Sequence, residues 1–427
     1  MTLTLTSPAR LHFPTIKHLA NGLTIVAEQV PIEAVNMNVW LKAGSALESN
    51  EINGMAHFLE HMVFKGTNQL ASGEFERLIE AKGAITNAAT SQEYTQYYIT
   101  TAPQDFAELA PWQLEVIFNA AIPEDAFDRE KLVVLEEIRR AEDNPQRRTF
   151  ARAMETCFEN LPYRRPILGT EVVITALTSE QMRNFHQSWY QPQQMTVAVV
   201  GNLPVTELIE IVSKGVEQTY RNASSTSGHS SVPIWSPESS FTEIVRREYT
   251  DSSLQEARLV MMWRVPGMND LASTYPLDII AAIMGQGKMA RLFRDLREER
   301  NLVSQINASN LTQQIQGVFY VSARLPVANI PMVEQAIAEH FHRLHTQLVS
   351  EAEMARIRTQ VANKFIFSNE RPSDRALLYG YYQSLLSSIE PALNYPTEIQ
   401  SITPSQLQTA ALNYLNPEAY GLVVMKP

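Results

Sequence analysis

The amino-acid sequence predicts an α+β protein made of two homologous halves, each a mostly antiparallel sheet covered by helices. The first observation is an internal repeat: Leu-Thr-Ser-Glu-Gln-Met at 177–182 returns 225 residues later as Ile-Thr-Pro-Ser-Gln-Leu at 402–407. Each copy precedes a short apolar run typical of a strand, at 195–200 and 420–425. Self-similarity at about half the chain length indicates a duplicated unit. Helical and strand patterns in both copies favour helix-covered sheets.

The second observation is a single low-complexity segment near the middle of the chain. Residues 222–231 read Asn-Ala-Ser-Ser-Thr-Ser-Gly-His-Ser-Ser, which is typical of a flexible connection. We therefore predict an N-terminal domain at 1–218, a linker at 219–241 and a C-terminal domain at 242–427. A length of 427 residues agrees with more than one domain.

Composition excludes several classes of protein. A hydrophobic content of 44% and a charged content of 19% are typical of a globular chain. The net charge of −11 argues against nucleic acid as a partner, since phosphate binding needs a basic surface. Neither a leader pattern nor a membrane-length apolar run is present, and Cys157 is the only cysteine, so no intrachain disulfide is possible. We expect no membrane partner and a cytoplasmic location.

The predicted elements of the N-terminal domain begin with a hairpin. Asn21-Gly22, between two apolar runs, is the strongest short-range hairpin signal. Residues 35–41 then alternate as a strand, and a loop leads to an apolar helix near residue 57. The later predicted helices span 107–118, 125–143, 179–190 and 205–220.

The apolar helix carries the motif His57-x-x-Glu60-His61. Residues four apart on a helix lie about 40° apart around its axis, so the two imidazoles and the carboxylate project from one surface. This order is the inverzincin pattern of zinc peptidases, in which two histidines bind zinc and the glutamate accepts a proton from water. Short motifs also arise by chance. Here the rest of the helix is apolar, and buried ionisable groups usually need a partner such as a metal.

A catalytic zinc site typically has three protein ligands, so a third ligand is expected elsewhere. The helical pattern at 125–143 contains Glu130, Glu136 and Glu137. Helical periodicity places Glu137 on the apolar side, above Glu130, and Glu136 on the charged side with the arginines. We therefore predict Glu137 as the third ligand and Glu130 as a carboxylate that supports a ligand. A solvated ion-pair face explains Glu136.

The next stretch suggests how a peptide is held. Ser72 starts a predicted capped helix that ends near Gly83, and residues 84–100 are Thr- and Tyr-rich, which favours a strand. An edge strand beside the metal can bind a peptide by adding it to the sheet through backbone hydrogen bonds. An ordinary hairpin strand explains the same pattern.

The C-terminal half repeats the predicted strand and helix, at 257–263 and 273–284, without the histidine motif. Its notable residues are Arg375 and Tyr382, which share a helix face because they are seven positions apart. A guanidinium and a phenol so placed can both reach a peptide carbonyl or the oxyanion that forms on it. A surface arginine and a packed tyrosine are the structural alternative, and Arg371 is a possible substitute for Arg375.

These residues together resemble the pitrilysin-type zinc metallopeptidases, in the half-length processing-peptidase branch. The match covers nearly the whole chain. Besides the histidine motif and Glu137, it includes Asn21-Gly-Leu-Thr-Ile, Lys42-Ala-Gly-Ser45, Gly83-Ala-Ile-Thr-Asn87-Ala88, Tyr163-Arg-Arg-Pro-Ile-Leu-Gly169 and Arg294-Asp-Leu-Arg-Glu298. One departure is Gln193-Gln194, where the family often has asparagines.

The resemblance implies a zinc endopeptidase that cleaves unfolded or short peptides inside a clam-shaped chamber closed by a second chain. It implies that the strand at Asn87 and Ala88 binds the peptide, and that Arg375 and Tyr382 clamp it. Half-length members are commonly homodimers, or heterodimers with a related subunit that lacks the zinc motif. The alternatives are an active subunit that needs such a sister chain and a catalytically silent structural subunit of a complex.

Overall fold

Two β-sheets, one of six strands and one of five, form the framework of the described residues. The computed structural model describes residues 14–220 and 235–427, so most of the linker predicted at 219–241, like residues 1–13, lies outside the described part. The strands are β1 Thr15–His18, β2 Thr24–Gln29, β3 Val35–Leu41, β4 Ile85–Thr90, β5 Thr95–Thr101, β6 Met195–Gly201, β7 Val245–Thr250, β8 Ala257–Pro266, β9 Gln305–Leu311, β10 Gln316–Leu325 and β11 Gly421–Lys426.

The two sheets confirm the predicted duplication. The first has the order β1-β2-β6-β3-β5-β4 and the second the order β7-β11-β8-β10-β9. In each sheet one pair is parallel, β2 with β6 and β7 with β11, and the other pairs are antiparallel. The second sheet therefore repeats the first from β2 onward, and the α+β fold class predicted from the sequence is correct.

Helices cover both sheets. They are α1 Met55–Val63, α2 Glu74–Ala81, α3 Pro103–Phe118, α4 Glu124–Asp143, α5 Pro145–Cys157, α6 Glu171–Ala176, α7 Ser179–Trp189, α8 Val205–Thr219, α9 Leu271–Gly285, α10 Ile330–Thr346, α11 Glu351–Phe367, α12 Pro372–Leu386, α13 Glu390–Ser401 and α14 Pro404–Tyr414. Single turns occur at Ser45–Leu47, Asn50–Ile52, Pro162–Arg164, Pro192–Gln194, Met268–Asp270 and Val327–Asn329, with a π-helical turn at Phe293–Glu299.

Both faces of the first sheet are buried, as the side chains of β3 show, since they alternate between the two faces. Val35, Met37 and Val39 belong to the large core that also contains the apolar residues of α1. Asn36 and Asn38 point to the other face, where they are nevertheless 1% and 2% exposed. A strand buried on both faces needs a second covering element, and its polar side chains then need partners.

Helix α12 covers this second face. Ala376 and Tyr379 of α12 form a cluster with Val26 of β2 and with Ala198 and Val200 of β6. Packing therefore groups residues 367–394 with the first sheet, and α5, in residues 139–165, with the second. The helix that carries Arg375 and Tyr382 thus belongs to the packing unit of the N-terminal sheet. The linear division at 219–241 stays a prediction.

The hairpins agree with the elements predicted from the sequence, whereas the start of α2 does not. The hairpin at Asn21-Gly22 is present, with His18 paired to Thr24 across the turn. The helix expected to be capped by Ser72 begins after Gly73, which makes no side-chain cap, so that detail is wrong. The strand pattern at 84–100 is a hairpin of β4 and β5. Within the described residues, no helix has the length and apolar character needed to cross a membrane.

Candidate metal centre

The helix α1 is held at its start by a buried carboxylate. Glu48 Oε2 accepts from the backbone N–H of Gly54 at 2.7 Å, and Oε1 accepts from that of Ala56 at 2.7 Å. These N–H groups have no partner within the helix. A negative charge at the N-terminus also interacts favourably with the positive end of the helix dipole. Gly54 has φ 98°, and a Cβ there would lie 2.6 Å from the carbonyl oxygen of Leu168. Glu48 therefore fixes where the motif helix begins.

The three predicted metal ligands converge. His57 Nε2 lies 3.4 Å from Glu137 Oε2, and His61 Nε2 lies 3.5 Å from the same oxygen. One ligand atom from each of the three residues lies within 4.8 Å of the other two. In a tetrahedral zinc site with bonds of about 2.1 Å, ligand atoms lie about 3.4 Å apart. The donor types and the two distances to Glu137 Oε2 are therefore those expected of zinc ligands.

Glu137 is more exposed than the sequence predicted. Its side chain is 39% exposed, and Val133, four residues earlier on α4, is 46% exposed. The expectation of a buried Glu137 is therefore wrong in degree. The reason is that this stretch of α4 is only partly covered, with Leu132 also 68% exposed. A ligand that is partly open to solvent is compatible with a site that substrate must reach.

His61 contacts Glu130, the carboxylate that the sequence predicted to support a ligand. Its Nδ1 lies 2.9 Å from Glu130 Oε1, and Lys65 Nζ lies 2.8 Å from Glu130 Oε2. Burial acts to raise the pKa of Glu130, but Lys65 and His61 outweigh it and hold the pKa below its usual range. An ionised Glu130 accepts the Nδ1 proton of His61, and this orients the imidazole ring so that Nε2 faces the other ligands.

His57 has a different environment. Burial, together with His61, lowers its pKa to about 3, which favours the neutral imidazole. Its Nδ1 is buried without a hydrogen-bond partner among the described residues. The two histidines therefore differ in support: the Nδ1 of His61 contacts the Glu130 carboxylate, whereas the Nδ1 of His57 has no such partner among the described residues.

Glu60 lies on the same helix, and its contacts come from β4. Thr90 Oγ1 donates a hydrogen bond to Glu60 Oε2. Burial raises the pKa of Glu60, and the hydrogen bond from Thr90 opposes this shift. A half-buried carboxylate beside two imidazoles is suited to accept a proton from water.

The predicted peptide-binding strand lies at the edge of the sheet. Among the described strands β4 pairs only with β5, so its outer edge carries unpaired backbone groups. Asn87 is exposed, while Ala88 is half-buried against the core. The same strand carries Thr90, which places this edge next to Glu60.

Arg375 and Tyr382 are on α12, on the sheet face opposite α1. Arg375 Nη1 lies 2.6 Å from Glu28 Oε1, and Tyr379 Oη donates to Glu28 Oε2 at 2.9 Å. Tyr382 lies 5.4 Å from Tyr381, ring centre to ring centre. The guanidinium of Arg375 is thus already bound to a buried carboxylate.

Sequence reasoning missed three residues of this site: Glu48, Lys65 and Thr90. An acidic residue shortly before a helix is a weak signal that could have suggested Glu48. Lys65 is four residues after His61, so helical spacing could have placed it on the same face. No local signal links Thr90 to Glu60, because the two meet only through sheet packing.

Two family models match the chain. The model described as insulinase (peptidase family M16) matches residues 24–171, and the one described as peptidase M16 inactive domain matches residues 176–361. An uncharacterised zinc protease of Mycobacterium leprae is 26% identical over 96% of this chain and 91% of its own length. The motif helix and Glu137 lie in the first match.

Solved structures agree with these matches. The crystal structure of a protease from Helicobacter pylori has a TM-score of 0.89 and 25% identity, covering 97% of this chain and 99% of that one. A chain of complex III2 from Candida albicans has a TM-score of 0.80 at 16% identity, covering 96% and 95%, which shows a shared fold alone. With its two matched domains in one chain of this length, the protein belongs to the pitrilysin-type peptidase family M16, in its half-length form.

Proposed function

We propose that this chain is a zinc-dependent endopeptidase that cleaves unfolded or short peptides. The observation that carries the proposal is the convergence of His57, His61 and Glu137 beside Glu60, with ligand spacing that fits zinc. Family membership supports a peptidase, and the Mycobacterium leprae relative is named a zinc protease.

The ligand residues have separate tasks. His57 and His61 present neutral nitrogens, and Glu137 adds one negative charge. Glu130 keeps the ring of His61 in place through Nδ1. A bound zinc ion would supply positive charge that acidifies water and polarises the peptide carbonyl.

Glu60 is the proposed general base. One of its oxygens is held by Thr90, and a water molecule beside the three ligands would lose a proton to the carboxylate. The same carboxyl group would then donate that proton to the leaving amine. The peptide would be held along β4 at Asn87 and Ala88, where strand addition uses backbone groups and makes few demands on peptide sequence.

Arg375 and Tyr382 enter this proposal through a second chain. Because α12 lies on the sheet face opposite α1, we propose that the pair contacts a peptide bound by a partner and not one bound by its own α1. We therefore propose a dimer, with a second copy or with a related chain that lacks the zinc motif. A cytoplasmic location stays a prediction.

The test combines metal content with peptide cleavage. We expect the purified chain to hold about one zinc and to cleave a quenched unstructured peptide. Glu60→Gln should keep the zinc and lose roughly 10²–10⁴-fold in rate, as expected for removal of a general base. Glu137→Gln should lose zinc, whereas Glu136→Gln, the adjacent acid, should keep both zinc and activity.

The second candidate is a silent structural subunit, favoured by the shared fold with a chain of complex III2. A purified wild-type chain without zinc would support this candidate and contradict the proposed enzyme. Zinc without cleavage, followed by cleavage when a sister chain is added, would support the heterodimer.

A further inference from the structure

The edge strand β4 makes a direct contact with the proposed base. Thr90, its last residue, donates its hydroxyl hydrogen to Glu60 Oε2. Its Oγ1 also lies 3.4 Å from Thr95 Oγ1, directly opposite on β5. The hydroxyl is therefore held by the sheet and not by α1.

The turn after Thr90 is anchored more firmly than an exposed hairpin usually is. The hydroxyl of Thr95 donates to the carbonyl oxygen of Ala43 at 2.9 Å. The backbone N–H of Ala46 donates to the carbonyl oxygen of Gln92 at 2.7 Å. A Cβ added to Gly44 would lie 2.5 Å from the carbonyl oxygen of Ser91, so the two segments pack without room for a side chain. A β-branched side chain on such a backbone has little rotational freedom.

Glu60, by contrast, is a long side chain with several rotamers. Its half-buried carboxylate is placed only if another group fixes it, and ordering a glutamate side chain costs conformational entropy. A hydroxyl on a rigid strand supplies that fixed point. The hydroxyl and the backbone N–H of Thr90 both interact with the Glu60 carboxylate, which holds it beside the ligands, where it can meet a water molecule.

We propose that Thr90 is a positioning residue for the reaction, which orients Glu60 and ties it to the strand that binds the peptide. This inference rests on the proposed peptidase function. Because Thr90 acts on the base and not on the metal or the peptide, its loss should lower kcat while leaving KM and zinc content nearly unchanged.

The strand offers a matched control. Thr86 lies four residues earlier on the same face of β4, and its hydroxyl donates to the backbone carbonyl of Tyr98 at 3.1 Å. Thr90→Val and Thr86→Val are the same chemical change on the same strand, and only the first removes a contact to Glu60. Thr90→Ser keeps the hydroxyl and should restore most of the rate.

The experiment measures kcat, KM and zinc content of the full chain for these three variants. We expect Thr90→Val to lose roughly ten- to hundredfold in kcat, the range for a lost hydrogen bond to a charged group. Thr86→Val should stay near wild type. Equal losses in Thr90→Val and Thr86→Val, or a rise in KM alone for Thr90→Val, would overturn the inference.

A second readout does not depend on cleavage. Unfolding free energies of the full chain are compared for Thr90→Val, Glu60→Ala and the double variant. Non-additive effects are expected if the two side chains interact in solution, and additive effects would overturn the inference. If the wild-type chain cleaves no peptide and binds no zinc, the proposed function fails, and this cycle still decides whether Thr90 holds Glu60.

Discussion

Arg375 could bind a peptide or stabilise the fold, and the variant Arg375→Met distinguishes these two roles. We expect this variant to lower the free energy of unfolding by about 3–5 kcal/mol, the usual cost of removing one partner of a buried ion pair. The Glu28 side chain is only 2% exposed and accepts from Arg375 Nη1 at 2.6 Å. After the substitution Glu28 still accepts from the hydroxyl of Tyr379 at 2.9 Å. Methionine retains an unbranched apolar stem, so the loss is mainly charge and hydrogen bonds.

The double variant Glu28→Gln with Arg375→Met gives a second check on the magnitude. The double variant removes both members of the buried ion pair, so neither charge is left without the other. We therefore expect the double variant to be more stable than Arg375→Met alone, with clearly non-additive single effects.

The assay is denaturant unfolding followed by tryptophan fluorescence. Trp40, one of five tryptophans in the chain, is fully buried on β3 and lies 6.1 Å from Tyr381 of α12, ring centre to ring centre, so its emission adds a signal from this contact. The control is Arg371→Met, an exposed arginine at the start of the same helix. Equal stability of the Arg371 and Arg375 variants would refute the reasoning. Loss of peptide affinity at unchanged stability would instead favour a peptide-binding role.

Two further predictions concern other buried carboxylates. Glu130→Gln should weaken zinc binding roughly 10–100-fold in a chelator competition, because Glu130 orients His61 Nδ1. Asp278→Asn should gain stability relative to wild type as the pH rises. Burial raises the pKa of Asp278 to about 6 from the usual 3.8, despite hydrogen bonds from Asn310 and Tyr395. The folded state therefore binds this proton more tightly, and the wild type loses up to about 3 kcal/mol between pH 4 and pH 6, a loss that asparagine avoids.

Each of these predictions has a clear contrary result. For Glu130, the matched control is Glu136→Gln on the same helix, and equal zinc affinity in the two variants would contradict the orienting role. For Asp278, denaturant unfolding at pH 4.5 and 7.5 measures the difference between variant and wild type. A difference that does not change with pH would show that this carboxyl group titrates alike in the folded and unfolded chain.

The sequence alone determined the features that depend on local periodicity. His57, Glu60 and His61 share a helix face because of their spacing, and the same rule separated Glu137 from Glu136. The structure brings Glu137 to the two histidines as expected. The repeat at 177–182 and 402–407 likewise predicted two sheets of one topology, since duplicated sequence folds into duplicated units.

Only the tertiary structure decided which elements cover which sheet face. Nothing in the local pattern shows that α12 packs on β2 and β6, or that Arg375 pairs with Glu28, because the partners are separated by most of the chain. The exposure of Glu137 depended on how little of α4 is covered. The contact of Thr90 with Glu60 required the pairing of β4 with β5. Helical spacing acts within a few residues, whereas strand pairing and face coverage depend on contacts that only the folded chain makes.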